Sequence, residues 1–289
     1  MVNFVLFHKG PLPGYLSTCI NQIKLTQVKH NIYVLIEEKY INTLNIDKIT
    51  EVPLSSIEVP ELQHLAYYTT DRDPLWRTAF ERFFYINSFI KKNCISDIVH
   101  FDNDVLIYGA VVDILEELKE YIPNIGLTPH KLNELVCGFM YIKNFDSLDV
   151  LCSELLRYAK LGERRLEQQF QTMPHEMRLL GEIHNKRPDI ITELPVSPIA
   201  PGSNLFKKFK IVFDPSTYGQ YIGGTHSGGG TDKKIVHSCN RERYIDRHIG
   251  DLFEPYFDFK NKVPFLRVYK ELIPIFNLHI HSKQLELYV

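Results

Sequence analysis

Two carboxylates one residue apart, Asp102 and Asp104, interrupt the apolar run Ile98-Val99-His100-Phe101-Asp102-Asn103-Asp104-Val105-Leu106-Ile107-Tyr108. Apolar and β-branched residues on both sides predict a strand buried on both faces, where carboxylates are costly unless neutralised. A divalent cation is the simplest neutraliser. Held by only one or two protein carboxylates, a hard cation keeps positions open for phosphate oxygens, so the run points to a metal–diphosphate site at the carboxyl end of a strand. The plain alternative is an ordinary polar turn, because Asp-x-Asp is common in turns. Near the carboxyl end, His279 and His281 flank Ile280 and are followed by Lys283. Strand alternation puts both imidazoles on one face, and a metal held by two aspartates needs at least one further protein ligand.

The preceding elements must position these groups. Residues 3–7 read as a strand, 15–25 as a helix and 31–37 as a second strand, a βαβ opening that leaves the loop around Phe7, His8, Lys9 and Gly10 at the carboxyl end of the first strand. Residues 49–65, with Pro53 and Pro60, predict a strand followed by irregular connections. A strong helix follows, with Asp71 or Asp73 as cap and Pro74 in its first turn. Trp76, Phe80, Phe83, Phe84, Asn87 and Ile90 share its packed face, and Arg82 lies at the edge of that face. A planar guanidinium there can pair with a diphosphate or a carboxylate in two places at once; the plainer role for Arg82 or Arg77 is pairing with a nearby acid.

Beyond the aspartates, 111–121 predicts an amphipathic helix, 124–128 and 134–142 strands, 147–161 a helix capped by Ser147, and 209–213 another strand. Gly138, inside a buried strand, marks either a bulge or a close approach to the backbone; the neighbouring carboxylates favour the approach. Pro174-His175-Glu176 opens a further helix, with Glu176 at its dipole-favoured end. After Asp214 the chain holds six glycines within residues 219–230, which predicts a flexible loop, a mobile lid or a surface excursion. It has neither the Lys-Ser/Thr ending of a P-loop nor a Rossmann glycine spacing.

At 289 residues the chain can bury a core without staples, and a formal charge of −2 with no long basic block argues against a nucleic-acid binder. The five cysteines are scattered and include no Cys-x-x-Cys pair, so they read as reduced core residues, favouring a cytoplasmic protein. The apolar start is too short for a signal peptide, and no segment reaches membrane-spanning length.

In this order, Glu81-Arg82-Phe83-Phe84-Tyr85-Ile86, the Asp102-Asn103-Asp104 strand, His175-Glu176-Met177-Arg178-Leu179-Leu180, Phe213-Asp214-Pro215-Ser216-Thr217-Tyr218 and Asn277-Leu278-His279-Ile280-His281-Ser282-Lys283 resemble the GT-A fold glycosyltransferases, specifically a little-characterised group found in bacteria and large DNA viruses. The resemblance spans most of the chain. It implies a single α/β domain with a mixed, mostly parallel central sheet, residues 1–108 forming a Rossmann-like nucleotide-sugar-binding half and 109–289 an acceptor-side half. It implies a hexosyl- or pentosyltransferase that moves sugar from a nucleoside-diphosphate sugar to a glycan or other hydroxyl acceptor, using Mn²⁺ or Mg²⁺. Asp102, Asp104 and His279 or His281 would bind the metal. Phe7, His8, Lys9, Arg82, Asp102, Asn103, Gly138 and Lys283 would contact the donor. An inverting reaction would also need a general base, for which Glu176 and then Asp214 are candidates; a retaining one would not. Two other readings start from the same residues: a haloacid-dehalogenase type sugar phosphatase with Asp102 as nucleophile and a late acidic partner among Asp251 and Asp258, and a non-catalytic sugar-nucleotide-binding module.

Overall fold

In the computed structural model, the described residues are 1–65, 74–171, 174–199, 203–223 and 252–289. The expected caps Asp71 and Asp73, the glycine-rich stretch after residue 223, Cys239 and Asp251 lie outside them. The opening is βαβ: β1 (Val2–Phe7), α1 (Tyr15–Thr26) and β2 (His30–Ile36), followed by β3 (Thr50–Pro53) and the single turn α2 (Leu62–Leu65). Next come α3 (Pro74–Lys92), β4 (Ile98–His100), β5 (Val105–Ile107), α4 (Leu115–Tyr121), β6 (Ile125–Lys131), β7 (Glu134–Ile142), α5 (Phe145–Ala159), α6 (Glu163–Phe170), α7 (Glu176–Lys186) and β8 (Ile191–Glu193). The described remainder is α8 (Ser203–Phe209), α9 (Tyr218–Gly223), β9 (Phe253–Asp258), β10 (Val263–Val268), β11 (Glu271–Pro274) and β12 (Asn277–His279).

The central sheet has seven strands in the order β3-β2-β1-β4-β7-β6-β8. β1 to β4 run parallel, β7 is antiparallel to both β4 and β6, and β8 is parallel to β6, so the sheet is mixed as expected. Its strands are apolar throughout because both faces are covered. From β1, Phe4 and Leu6 join one core with Leu16, Cys19 and Ile20 of α1, while Val5 and Phe7 join the other with Phe80, Phe83 and Phe84 of α3 and with α5 and α7. Three further strands form a separate antiparallel sheet, β11-β10-β9.

Three expectations need correction. The apolar run 98–108 is two strands in two sheets: β4 belongs to the central sheet, whereas β5 pairs antiparallel with β12. A tight turn separates them, the Val105 amide donating to the Asp102 carbonyl at 3.0 Å. The helix expected at 147–161 begins at Phe145, because Asn144 is the cap, its side-chain oxygen accepting from the Ser147 amide at 3.0 Å and hydroxyl at 2.9 Å. Residues 209–213 are no strand; Phe209 ends α8, Lys210 turns the chain with φ of 56°, and Val212 makes a lone bridge to Ile275. In addition, residues 111–121 split into a 3₁₀ turn over Val111–Ile114 and α4.

Candidate active site

The strand pairing assembles the site. Register between β12 and β5 sets His279 opposite Val105, and the Ile280 amide donates to the Asp104 carbonyl at 2.8 Å, so two segments far apart in sequence share one turn. His279 Nε2 lies 3.1 Å from Asp104 Oδ1, and the Lys283 ammonium pairs with the other oxygen. Burial alone would raise the Asp104 pKa, but His279 and Lys283 together hold the carboxyl well below the usual range. Burial also disfavours a charged His279, yet Asp104 outweighs it and raises the imidazole above its ordinary value. Asp102 completes the group: ligand atoms of Asp102, Asp104 and His279 all lie within 4.8 Å of one another.

Arg82, buried on α3, pairs with Asp102 and reaches Glu176 Oε1 at 3.4 Å through its second terminal nitrogen. It therefore bridges two acids with one nitrogen to each, the plain pairing expected of it. Glu176 opens α7 after the extended cap residue His175. Burial pushes the Glu176 carboxyl up to about 7, against the opposing charge of Arg82, and its buried Oε2 has no hydrogen-bond partner among the described residues. His175 stacks on Trp76, ring centroids 4.8 Å apart, which fixes the start of α7 against α3.

The loop after β1 borders the same turn. Asn103 donates to the Phe7 carbonyl at 3.0 Å and lies 3.2 Å from His8 Nδ1, while His8 Nε2 lies 2.8 Å from the Pro11 carbonyl, an arrangement that requires the proton on Nε2. Lys9 is held by Glu81 at 2.6 Å, and Glu81 also accepts from Arg77 at 2.7 Å. Phe7 packs on Tyr85 at 5.4 Å between centroids.

Three expected residues have other duties. His281 stacks on His279 at 4.3 Å between centroids, but its Nε2 faces the Ser216 hydroxyl at 2.8 Å and the Gln220 amide at 3.0 Å, outside the acidic cluster. Gly138 marks a bulge and not a close approach: the β6–β7 register jumps from Leu127 opposite Met140 to Thr128 opposite Val136, and a Cβ on Gly138 would make only ordinary contacts, 3.4 Å from the Asp214 carbonyl and 3.9 Å from His279 Nδ1. Asp214 is fully buried, and its carboxylate accepts four backbone amides, from Thr217, Tyr218 and Gly219 of the α9 start and from His279 of β12, at 2.8–2.9 Å. Those bonds resist the rise that burial imposes on its pKa, and they occupy both oxygens. Asp214 is thus the clamp that fixes His279, and it has no free lone pair for a substrate proton.

Neither Asn277, although it opens the Asn277–Lys283 segment, nor Gly219 is given a role by the sequence. Asn277 is buried, accepts from the Asp214 amide at 3.2 Å and donates to the Gly138 carbonyl at 3.0 Å, tying β12 to β7. Its place two residues before His279, on the same strand face, was the available signal. A Cβ on Gly219 would lie 2.1 Å from the His279 carbonyl, so only glycine lets α9 sit against β12. Asp214→Ala orphans four buried amides and is expected to cost roughly 3–5 kcal/mol, seen as a melting temperature lower by about 10 °C.

The mixed sheet, the carboxylate turn at the end of β4 and the returning histidine strand together define a GT-A glycosyltransferase fold. Mouse xyloside xylosyltransferase 1 in its apo form superimposes with a TM-score of 0.52 at 13% identity, over 67% of this chain and 85% of that one. The galactosyltransferase LgtC with donor and acceptor sugar analogues gives 0.44 at 10% identity over 67% and 73%. The glycosyltransferase GlyE of Streptococcus pneumoniae gives 0.43 at 13% over 72% and 50%. The fold assignment rests on the first of these. No protein-family model and no curated protein matches the sequence. Among the described residues, no helix is long and apolar enough to cross a membrane.

Proposed function

We propose that the protein is a metal-dependent glycosyltransferase that moves a sugar from a nucleoside-diphosphate sugar to a glycan or other hydroxyl acceptor. The observation that carries this reading is the convergence of Asp102, Asp104 and His279 at the carboxyl end of β4 within a GT-A fold. Two carboxylates and an imidazole suit Mn²⁺ or Mg²⁺, and the ammonium already seated on Asp104 marks the cation demand of the spot. Asp102, Asp104 and His279 would hold the ion, which when bound neutralises charge on the leaving nucleoside diphosphate.

The chain's own groups supply the rest. Arg82 holds Asp102 in place and presents fixed positive charge beside the diphosphate position. Asn103 and His8 lock the loop after β1, where Phe7 and Lys9 would meet the nucleotide. In an inverting reaction Glu176 would take the acceptor proton: Arg82 holds its Oε1, and among the described residues Oε2 has no hydrogen-bond partner. The 1–108 half would hold the donor and the 109–289 half the acceptor. The phosphatase alternative needs Asp102 as a nucleophile, and here Arg82 engages that carboxylate.

A panel of nucleotide sugars assayed for nucleotide release, with and without Mn²⁺, tests the reading. Metal-stimulated hydrolysis of one donor is the expected result. Release of phosphate from sugar phosphates, with an acyl-phosphate trapped on Asp102, would replace it with the phosphatase.

A further inference from the structure

The two aspartates of the metal site are already balanced by two cations. Arg82 pairs with Asp102, and Lys283 pairs with Asp104. Arg82 is buried at the far side, but Lys283 enters from solvent, its side chain 46% exposed, with its ammonium also 5.6 Å from the centre of the Tyr15 ring. The backbone fixes where this side chain starts. Lys283 has φ of 62°, a left-handed conformation uncommon for a lysine, and its amide closes a turn onto the Ile280 carbonyl at 3.0 Å. Both Asp104 oxygens are thereby taken, one by His279 and one by Lys283.

Resting on the metal-site reading above, we infer that Lys283 is a resident counter-cation of Asp104, which a divalent ion must displace, so that the ion binds weakly alone and firmly only together with a diphosphate. The charge balance drives this. With Lys283 and Arg82 in place, the latter shared with Glu176, the charge of the two aspartates is largely offset, and a divalent ion alone leaves an excess of positive charge near a buried turn. A diphosphate brings compensating charge and gives the displaced ammonium a partner, which makes the two ligands mutually reinforcing. Two unit charges about 4 Å apart are worth about a thousandfold at an effective protein dielectric and the double charge of the ion squares that factor, but Lys283 is half exposed and swings into water, which reduces the penalty to roughly tenfold. The device keeps the site from holding an idle ion.

The test is Mn²⁺ binding to the full chain, read from the electron paramagnetic resonance signal of free Mn²⁺, for wild type, Lys283→Met, Lys283→Gln, Lys283→Arg and Asp104→Asn. The expected result is Mn²⁺ alone bound roughly tenfold tighter by the Met and Gln variants, near wild type by the Arg variant, and lost in Asp104→Asn. Inorganic diphosphate should strengthen Mn²⁺ binding to the wild type and do so much less in the two neutral variants. If Asp104→Asn loses the ion while Lys283→Met and Lys283→Gln bind it no tighter than wild type, the counter-cation role is overturned and the metal site stands. If Asp104→Asn binds Mn²⁺ as wild type does, or no variant binds it, both the role and the metal-site reading fall.

Discussion

Asp104→Asn is expected to lower metal-stimulated donor turnover by about a thousandfold or more while leaving the fold intact. The substitution keeps the shape of the side chain and removes its charge. Asp104 is the group on which the site converges: His279 meets one oxygen, Lys283 the other, and its carbonyl receives the Ile280 amide. Asparagine can still accept from one neighbour but cannot attract a divalent ion, and it leaves the ammonium of Lys283 without its partner. Because Lys283 is half exposed it can turn to water, so the stability cost should be modest, about 1–2 kcal/mol. Nucleotide release measured against Mn²⁺ concentration, beside a melting curve, separates the two effects. A variant that keeps its response to Mn²⁺ would remove Asp104 from the metal set.

Glu176→Gln should lower transfer to the acceptor by roughly a hundredfold to ten-thousandfold and remove the rise of the wild-type rate with pH. The carboxyl is raised to about 7, chiefly by burial, and a proton acceptor must be ionised to act, so the wild-type rate should climb as pH passes through that value. The stability dependence has the opposite sign. A carboxyl with a raised folded pKa binds more protons in the native state between its ordinary value and about 7, so this group's contribution to stability is lost as pH rises across that window. Glutamine abolishes that slope, leaving the variant more stable than wild type above pH 7, by an amount on the order of 2–4 kcal/mol. Full transfer activity in the variant would exclude Glu176 as the base. Equal pH slopes in the two melting series would show that the carboxyl is not perturbed.

The elements that hold these groups were legible where the chain repeats a single physical pattern. The βαβ opening and the apolar β7 follow from continuous buried runs, and α3 follows from its aromatic stripe. The division of the Asp102–Asp104 run between two sheets was not legible, because periodicity reports that a segment is buried and not which partner strand takes it. That division is what admits β12 and sets His279, but not His281, on Asp104. Asp214 shows the same limit from another side. A buried acid beside a turn has one composition whether it serves a substrate or four backbone amides, and only the pairing of β12 with α9 decides. The helix start at residue 145 was missed because Asn144 and Ser147 are both cap formers, and the fold uses the first.

The most direct test of the metal–diphosphate site is a crystal structure with Mn²⁺ and a nucleoside diphosphate, with anomalous scattering collected at the manganese edge. The expected result is one strong peak within about 2.0–2.6 Å of Asp104 and His279 atoms, with Lys283 turned from Asp104 toward the diphosphate. A peak elsewhere, or a nucleotide bound with Lys283 still seated on Asp104 and no ion between them, would contradict it.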